Sequence, residues 1–128
     1  MKLLLDTHIA LWFWMGSERC PRNLAAAIAD ADNEVIFSQV STLEIQLKFQ
    51  QKKLTLPELP ERFVPEAVRR SAFRYQPITD AAIFFLGKLP ELHRDPFDRL
   101  LVAQAIVEGC TLATLDRQIT PYPVPIFG

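Results

Sequence analysis

KLLLDTH, residues 2–8, is the stretch that decides the fold. Leu3, Leu4 and Leu5 follow one another with nothing polar between them. A short apolar run of this kind reads as a strand covered on both faces, which is the habit of a parallel sheet in an α/β protein. The run stops at Asp6, and the IALWFW that follows His8 is too apolar and aromatic for a surface loop. A carboxylate at the carboxyl end of a buried first strand stands where open α/β sheets place their ligands. The competing role for Asp6 is to cap the next helix or start a turn.

Working outward, residues 8–15 read as a short helix ending near Gly16, and Pro21 at a first helical position opens the alanine-rich NLAAAIADA. Asp32 and Asn33 make a turn into a second strand, EVIFS. Ser38 to Lys52 has helical spacing, with Val40, Leu43 and Leu47 on one face. KLTLPELP is an extended connection before a helix over roughly 61–73, and YQPIT is a brief strand. Thr79 caps DAAIFFLG, closed by Gly87. Pro96 starts the best-defined helix, which runs to Glu108 with Gly109 as its stop. TLATL is another buried strand, and YPVPIF supplies an edge strand, where prolines are tolerated. Strands alternating with helices predict a single α/β domain over 1–128, a parallel sheet of four or five strands with helices on both faces.

With 49% hydrophobic and 23% charged residues the chain is globular, and 128 residues suffice for one core. Fourteen basic against fifteen acidic residues mean that a nucleic acid would have to be met by a local patch. No apolar run approaches the ~18 residues of a membrane span, and the amino terminus does not read as a signal peptide. Cys20 and Cys110 lie far apart, without a CxxC or nearby histidine in ligand spacing, which suits a reduced, cytoplasmic protein with two buried thiols.

Three further acids fall at the sheet edge reached by Asp6. Glu44 lies four residues after Val40 and three before Leu47, on the face that packs on the sheet, in a helix that begins at the carboxyl edge. Its competing role is the last member of a capping box, Ser41-Thr42-Leu43-Glu44. Asp98 heads the apolar stripe Leu101, Val102, Ala105, and the alternative for it is again capping; Asp95 is read as the structural N-cap of that helix. Asp116, two residues past Thr114, alone would be a turn residue. Clustered carboxylates repel and need a compensating charge. Oxygen ligands select a hard cation, Mg²⁺ or Mn²⁺, and such a site suits metal-assisted phosphodiester hydrolysis.

LLLDTHIALW, SQVSTLEIQLK and HRDPFDRLLVAQA followed by LATLDRQITPYPV resemble the PIN-domain family, in particular the VapC-type toxins of bacterial toxin–antitoxin pairs. The resemblance covers nearly the whole chain, and DPFDRLLVAQA is its most specific block. It implies a three-layer α/β/α fold, a Mg²⁺- or Mn²⁺-dependent ribonuclease acting on RNA, and a homodimer held inactive by a cognate antitoxin. By position it makes Asp6, Glu44 and Asp98 the three core metal-binding and catalytic acids and Asp116 the more variable fourth. Thr7 and Thr114 match hydroxyl positions of the family, while Gln118 stands where many relatives carry a second acid.

Arg99 and Arg117 each follow one of these acids and are candidates for holding RNA phosphate, with surface ion pairing as the alternative. Lys48, Lys52 and Lys53 offer a modest basic strip. His8 and His93 read as structural, and Trp12, Phe13 and Trp14 as core or dimer contacts. Two rival functions are an inert module that binds an antitoxin or RNA, and a haloacid-dehalogenase-like phosphatase. The latter needs a second Asp where this chain has His8.

Overall fold

The computed structural model describes residues 1–128. Strand β1 is Lys2–Leu5, and it lies at the centre of a five-stranded sheet in which every pairing is parallel. Its neighbours are β2 (Glu34–Ser38) and β4 (Thr111–Ala113); β3 (Arg74–Gln76) and β5 (Ile126–Phe127) form the edges. Successive strand side chains point to opposite faces, and the leucine run is divided accordingly. Leu3 and Leu5, with Val35, Phe37 and Ala113, face one core; Leu4, with Ile36 and Leu112, faces the other.

The first core is closed by α1 (Thr7–Trp14), α2 (Arg22–Ala29) and α4 (Pro60–Ser71), through Ile9, Leu24, Ile28 and Val64. The second is closed chiefly by α6 (Pro96–Glu108), through Leu101, Val102 and Ala105, with Tyr122 and Val124 of the tail. Helix α3 (Gln39–Gln50) sends Ile45 to the first core and Val40 to the second, so it bridges both layers beyond the end of β2. The short α5 (Asp80–Phe85), capped by the Thr79 side chain, packs against α6. The arrangement is the expected α/β/α sandwich with a parallel sheet.

Several boundaries move, each for a local reason. Helix α1 starts at Thr7; Pro21 sits at the N-cap of α2, which stops at Ala29 because Asp30 turns out and its carboxylate accepts from the Asp32 amide at 2.9 Å. Helix α3 stops at Gln50, with Lys52 in the left-handed region at φ 59°. The third strand is Arg74–Gln76 rather than 75–79: Pro77 has no amide to give a ladder, and the Ile78 amide goes to the Gln39 side chain at 3.1 Å. The fourth ends at Ala113, before Thr114 and Leu115. Gly87 lies inside a single 3-10 turn, Leu86–Lys88, that extends α5. Cys110 is buried but Cys20 only half-buried, so the expectation of two buried thiols holds for one. Gly109 does end α6, at φ 68°, with the Cys110 amide returning to the Ala105 carbonyl at 2.8 Å, a turn that favours a residue without Cβ. Trp14 packs against Phe37 with ring centroids 4.9 Å apart, and Phe13 against Phe73 at 6.0 Å, as expected of core aromatics.

Candidate acid centre

Because all strands are parallel, their carboxyl ends share one edge, and the segments leaving that edge carry the acids. Asp6 directly follows β1 at the N-cap of α1, yet its side chain accepts no capping hydrogen bond from that helix. The Thr114 hydroxyl, just past β4, donates to Asp6 Oδ2 at 2.7 Å instead. Glu44 is the sixth residue of α3. The capping-box alternative fails, because Ser38 is the cap, accepting from the Val40 amide at 3.0 Å, and Ser41 Oγ is engaged with Thr7 Oγ1 at 2.7 Å. The buried stripe of α3 is Val40, Ser41, Glu44 and Ile45, while Leu43 is half exposed, so the expected face through Leu43 is displaced by one position.

Asp98 is the third residue of α6. Its capping alternative is taken by Asp95, whose Oδ1 accepts from the amides of Phe97 at 2.9 Å and Asp98 at 3.3 Å. Asp98 Oδ2 meets His93 Nε2 at 2.8 Å, and Asp116 Oδ2 lies 3.8 Å from the same nitrogen. Asp116 also makes the turn expected of it: its Oδ1 accepts from the Gln118 amide at 2.8 Å, and its own amide donates to Thr114 Oγ1 at 3.0 Å. Replacing Asp95 with Ala removes both amide partners and is expected to cost about 1 kcal/mol, whereas Asn caps nearly as well as Asp. Urea denaturation of Asp95→Ala beside Asp95→Asn measures the difference, and equal stability of the two would remove the capping role.

Asp6, Glu44, Asp98 and Asp116 thus line one cleft of about 440 Å³, together with His8, Trp12, Arg19 and His93. Asp6, Glu44 and Asp98 are 5%, 1% and 8% exposed. Carboxylates this deep are costly to ionise without partners. Burial raises the Asp6 pKa, against the opposing Thr114 hydrogen bond, and the charges of Glu44 and Asp116 push it further up. Asp98 is raised to about 7, first by burial and then by Asp6 and Asp95, although His93 works the other way. Glu44 Oε2 is held by Lys48 Nζ at 2.5 Å, an i,i+4 pair on α3. Burial alone would lower Lys48, but Glu44, with Asp95 and Asp98 behind it, raises its pKa overall. One other atom of each innermost acid, Asp6 Oδ1 and Glu44 Oε1, is buried with no hydrogen-bond partner. Native proteins seldom leave such atoms orphaned, and an ion is one standard explanation. The donor set is oxygen-rich and converging, which fits a small divalent cation.

The remaining candidates are placed less centrally. Thr114 orients Asp6, while Thr7 spends its hydroxyl on Ser41. Arg99 points toward the Leu86 carbonyl, 3.4 Å from its Nη2, and lies outside the cleft; Arg117 is exposed. Lys48 is bound to Glu44, so it does not join Lys52 and Lys53 in a free strip. Four cleft residues carry no site signal in the sequence: His8 and His93 read as structural, Trp12 as packing, and no pattern marks Arg19. A larger cavity of about 700 Å³ lies between α3 and α4, but it is lined by Leu43, Val64, Val68 and Tyr75 with Glu61 its one acid, and holds no comparable chemistry.

An all-parallel α/β sheet with buried acids gathered at its carboxyl edge defines a class of proteins whose site lies at the strand ends. The chain belongs to the PIN-domain family, whose domain matches residues 3–123. Ribonuclease VapC22 of Mycobacterium tuberculosis (strain ATCC 25618 / H37Rv) is 28% identical over 130 residues, covering 98% of each protein. Among solved structures, VapBC2 from Rickettsia felis bound to a DNA fragment from their promoter is similar with a TM-score of 0.73 at 18% identity, over 99% of this chain and 98% of that one. FitAcB from Neisseria gonorrhoeae matches with a TM-score of 0.69 at 18% identity, over 98% of this chain and 96% of that one.

Proposed function

We propose that this protein is a metal-dependent endoribonuclease, the toxin of a toxin–antitoxin pair. Asp6, Glu44 and Asp98 hold a divalent cation, Mg²⁺ or Mn²⁺, and Asp116 assists. The observation that carries the reading is the pair of orphaned oxygens, Asp6 Oδ1 and Glu44 Oε1, buried in a cleft of acids. The similarity to a protein called a ribonuclease supports RNA as substrate. A protein partner agrees with the VapBC and FitAB assemblies among the fold neighbours. The family resemblance adds a cognate antitoxin and a homodimer, and the free thiols of Cys20 and Cys110 suit a cytoplasmic setting.

A bound divalent cation supplies positive charge that stabilises the developing negative charge on the phosphodiester and makes water a better nucleophile source. The chain does the positioning. Thr114 fixes the Asp6 carboxylate through Oδ2 and leaves Oδ1 free for the ion. Lys48 neutralises one oxygen of Glu44, so the buried acids tolerate each other before the ion arrives. Asp95 holds the first turn of α6 and thereby the backbone that carries Asp98. Arg19, exposed at the cleft wall, is the cation available to an RNA phosphate.

Cleavage of RNA by the purified protein is expected to require Mg²⁺ or Mn²⁺ and to stop with EDTA, while circular dichroism stays unchanged. Persistent cleavage in EDTA would contradict the metal-dependent reading. A folded protein that binds the ion and the antitoxin but never cuts RNA would be the inert binder instead.

A further inference from the structure

We propose that His93 is itself a cation ligand. Its Nε2, with Asp98 Oδ2 and Asp116 Oδ2, forms a second donor set beside Asp6 and Glu44, one that prefers an ion tolerant of nitrogen, such as Mn²⁺, to Mg²⁺. The inference rests on the reading of the cleft as a cation site and goes beyond its carboxylates.

The geometry comes first. One ligand atom from each of His93, Asp98 and Asp116 lies within 4.8 Å of the other two, and Nε2 is 2.8 Å from Asp98 Oδ2 and 3.8 Å from Asp116 Oδ2. Ligands of an octahedral ion with bonds near 2.1 Å are about 3.0 Å apart when adjacent and about 4.2 Å apart when opposite, so the two distances from Nε2, 2.8 Å and 3.8 Å, are close to those of atoms sharing one ion. The available atoms also converge. Asp116 Oδ1 is occupied by the Gln118 amide, which leaves Oδ2 for the cleft. Asp98 Oδ2 has His93 as its hydrogen-bond partner and so changes partner rather than losing a helix contact when an ion enters.

His93 is held where a ligand must be. Its ring side chain is 12% exposed, and its backbone amide donates to the hydroxyl of buried Tyr122 at 3.0 Å. Two residues later Asp95 is fixed as the α6 cap, so the loop is anchored on both sides of the ring. An independent sign that the cleft takes a cation is the pair of unpartnered buried oxygens on Asp6 and Glu44, which line the same cavity. Imidazole nitrogen favours transition ions over Mg²⁺, which sets the expected selectivity. The competing role is a positioning one, in which His93 donates to Asp98 and never touches the ion.

Electron paramagnetic resonance on the full-length protein loaded with Mn²⁺ separates the two roles. The chain has two histidines, His8 and His93, and both line the cleft. Wild-type protein is expected to show imidazole-nitrogen modulation of the Mn²⁺ echo, kept in His8→Gln and lost in His93→Gln. His93→Gln should also weaken Mn²⁺ binding by at least about a hundredfold and Mg²⁺ binding by less, whereas a purely positioning histidine would cost about 10–100-fold. If His93→Gln does not fold, the wild-type and His8→Gln spectra decide alone. Bound Mn²⁺ without nitrogen modulation, or modulation lost in His8→Gln, overturns the ligand role and leaves the carboxylate site standing. A folded protein that binds no Mn²⁺ overturns both.

Discussion

The Asp98→Asn protein should fold, melt at the same temperature as the parent or higher, and leave RNA uncut. Asn retains an acceptor for His93 and the size of the side chain, so the first turn of α6 keeps its Asp95 cap and the loop its anchor. What it loses is charge. Asp98 is held near a pKa of about 7 by burial and by Asp6 and Asp95, so near neutrality much of its ionisation works against the fold. Removing that charge relieves repulsion within the acid cluster. The same charge is what a divalent cation needs. Substituting partners that merely orient metal ligands costs about 10–100-fold, so removing a ligand should lower cleavage by at least about a hundredfold. Expression without an antitoxin should then no longer inhibit growth. Melting curves and RNA cleavage at low Mg²⁺ form the pair of measurements. A variant that keeps parental cleavage would mean that Asp98 binds no essential ion.

The fold was readable where the signals are local. The unbroken leucines of β1 read as a strand covered on both sides, and Asp95, Pro96 and Gly109 bracket α6 by cap chemistry alone. Strand β3 was misplaced because its end depends on Gln39, a residue thirty-nine positions from Ile78, taking the amide that would have continued it. The helix expected over roughly 61–73 is present as α4, Pro60–Ser71, and it continues through Pro65. The four acids were legible because helices and strands that leave one edge of a parallel sheet bring their first residues together. Arg99 was not, although it adjoins Asp98: neighbouring residues on a helix point about 100° apart, so the residue after a cleft-facing one turns away. His93 was invisible for another reason. Its place is set by Tyr122, twenty-nine residues on, and no short pattern encodes that meeting. Trp12 is both packed on the core and part of the cleft wall, and an apolar spacing announces only the first of these.

Stability of the metal-free protein should fall as pH rises from about 4 to about 7, and a divalent cation should restore it only toward the upper end. Asp98 ionises near 3.8 in an unfolded chain and at about 7 in the fold. In that window the folded state holds a proton that the unfolded state has released, so each rise in pH favours unfolding. Asp6, raised for the same reason, adds to the slope in the same direction. Glu34 and Glu66 pull the other way below the window, since their partners Arg74 and Arg69 lower their pKa values, but both are exposed and contribute little. A displacement of this size at one nearly buried carboxyl corresponds to at most roughly 4 kcal/mol, several degrees or more in Tm for a domain of this length. The acids titrate as a group, so the loss should be spread over the window rather than centred on one residue. Mg²⁺ or Mn²⁺ competes with those protons: near pH 7 and above it should raise Tm clearly, and near the bottom of the window hardly at all. Asp98→Asn should flatten most of the pH slope and blunt the response to the ion together. Thermal melts across the window, with EDTA or with Mn²⁺, test this directly. A metal-free Tm that climbs steadily through the same range would mean that the acids are already satisfied within the chain and have no need of a cation.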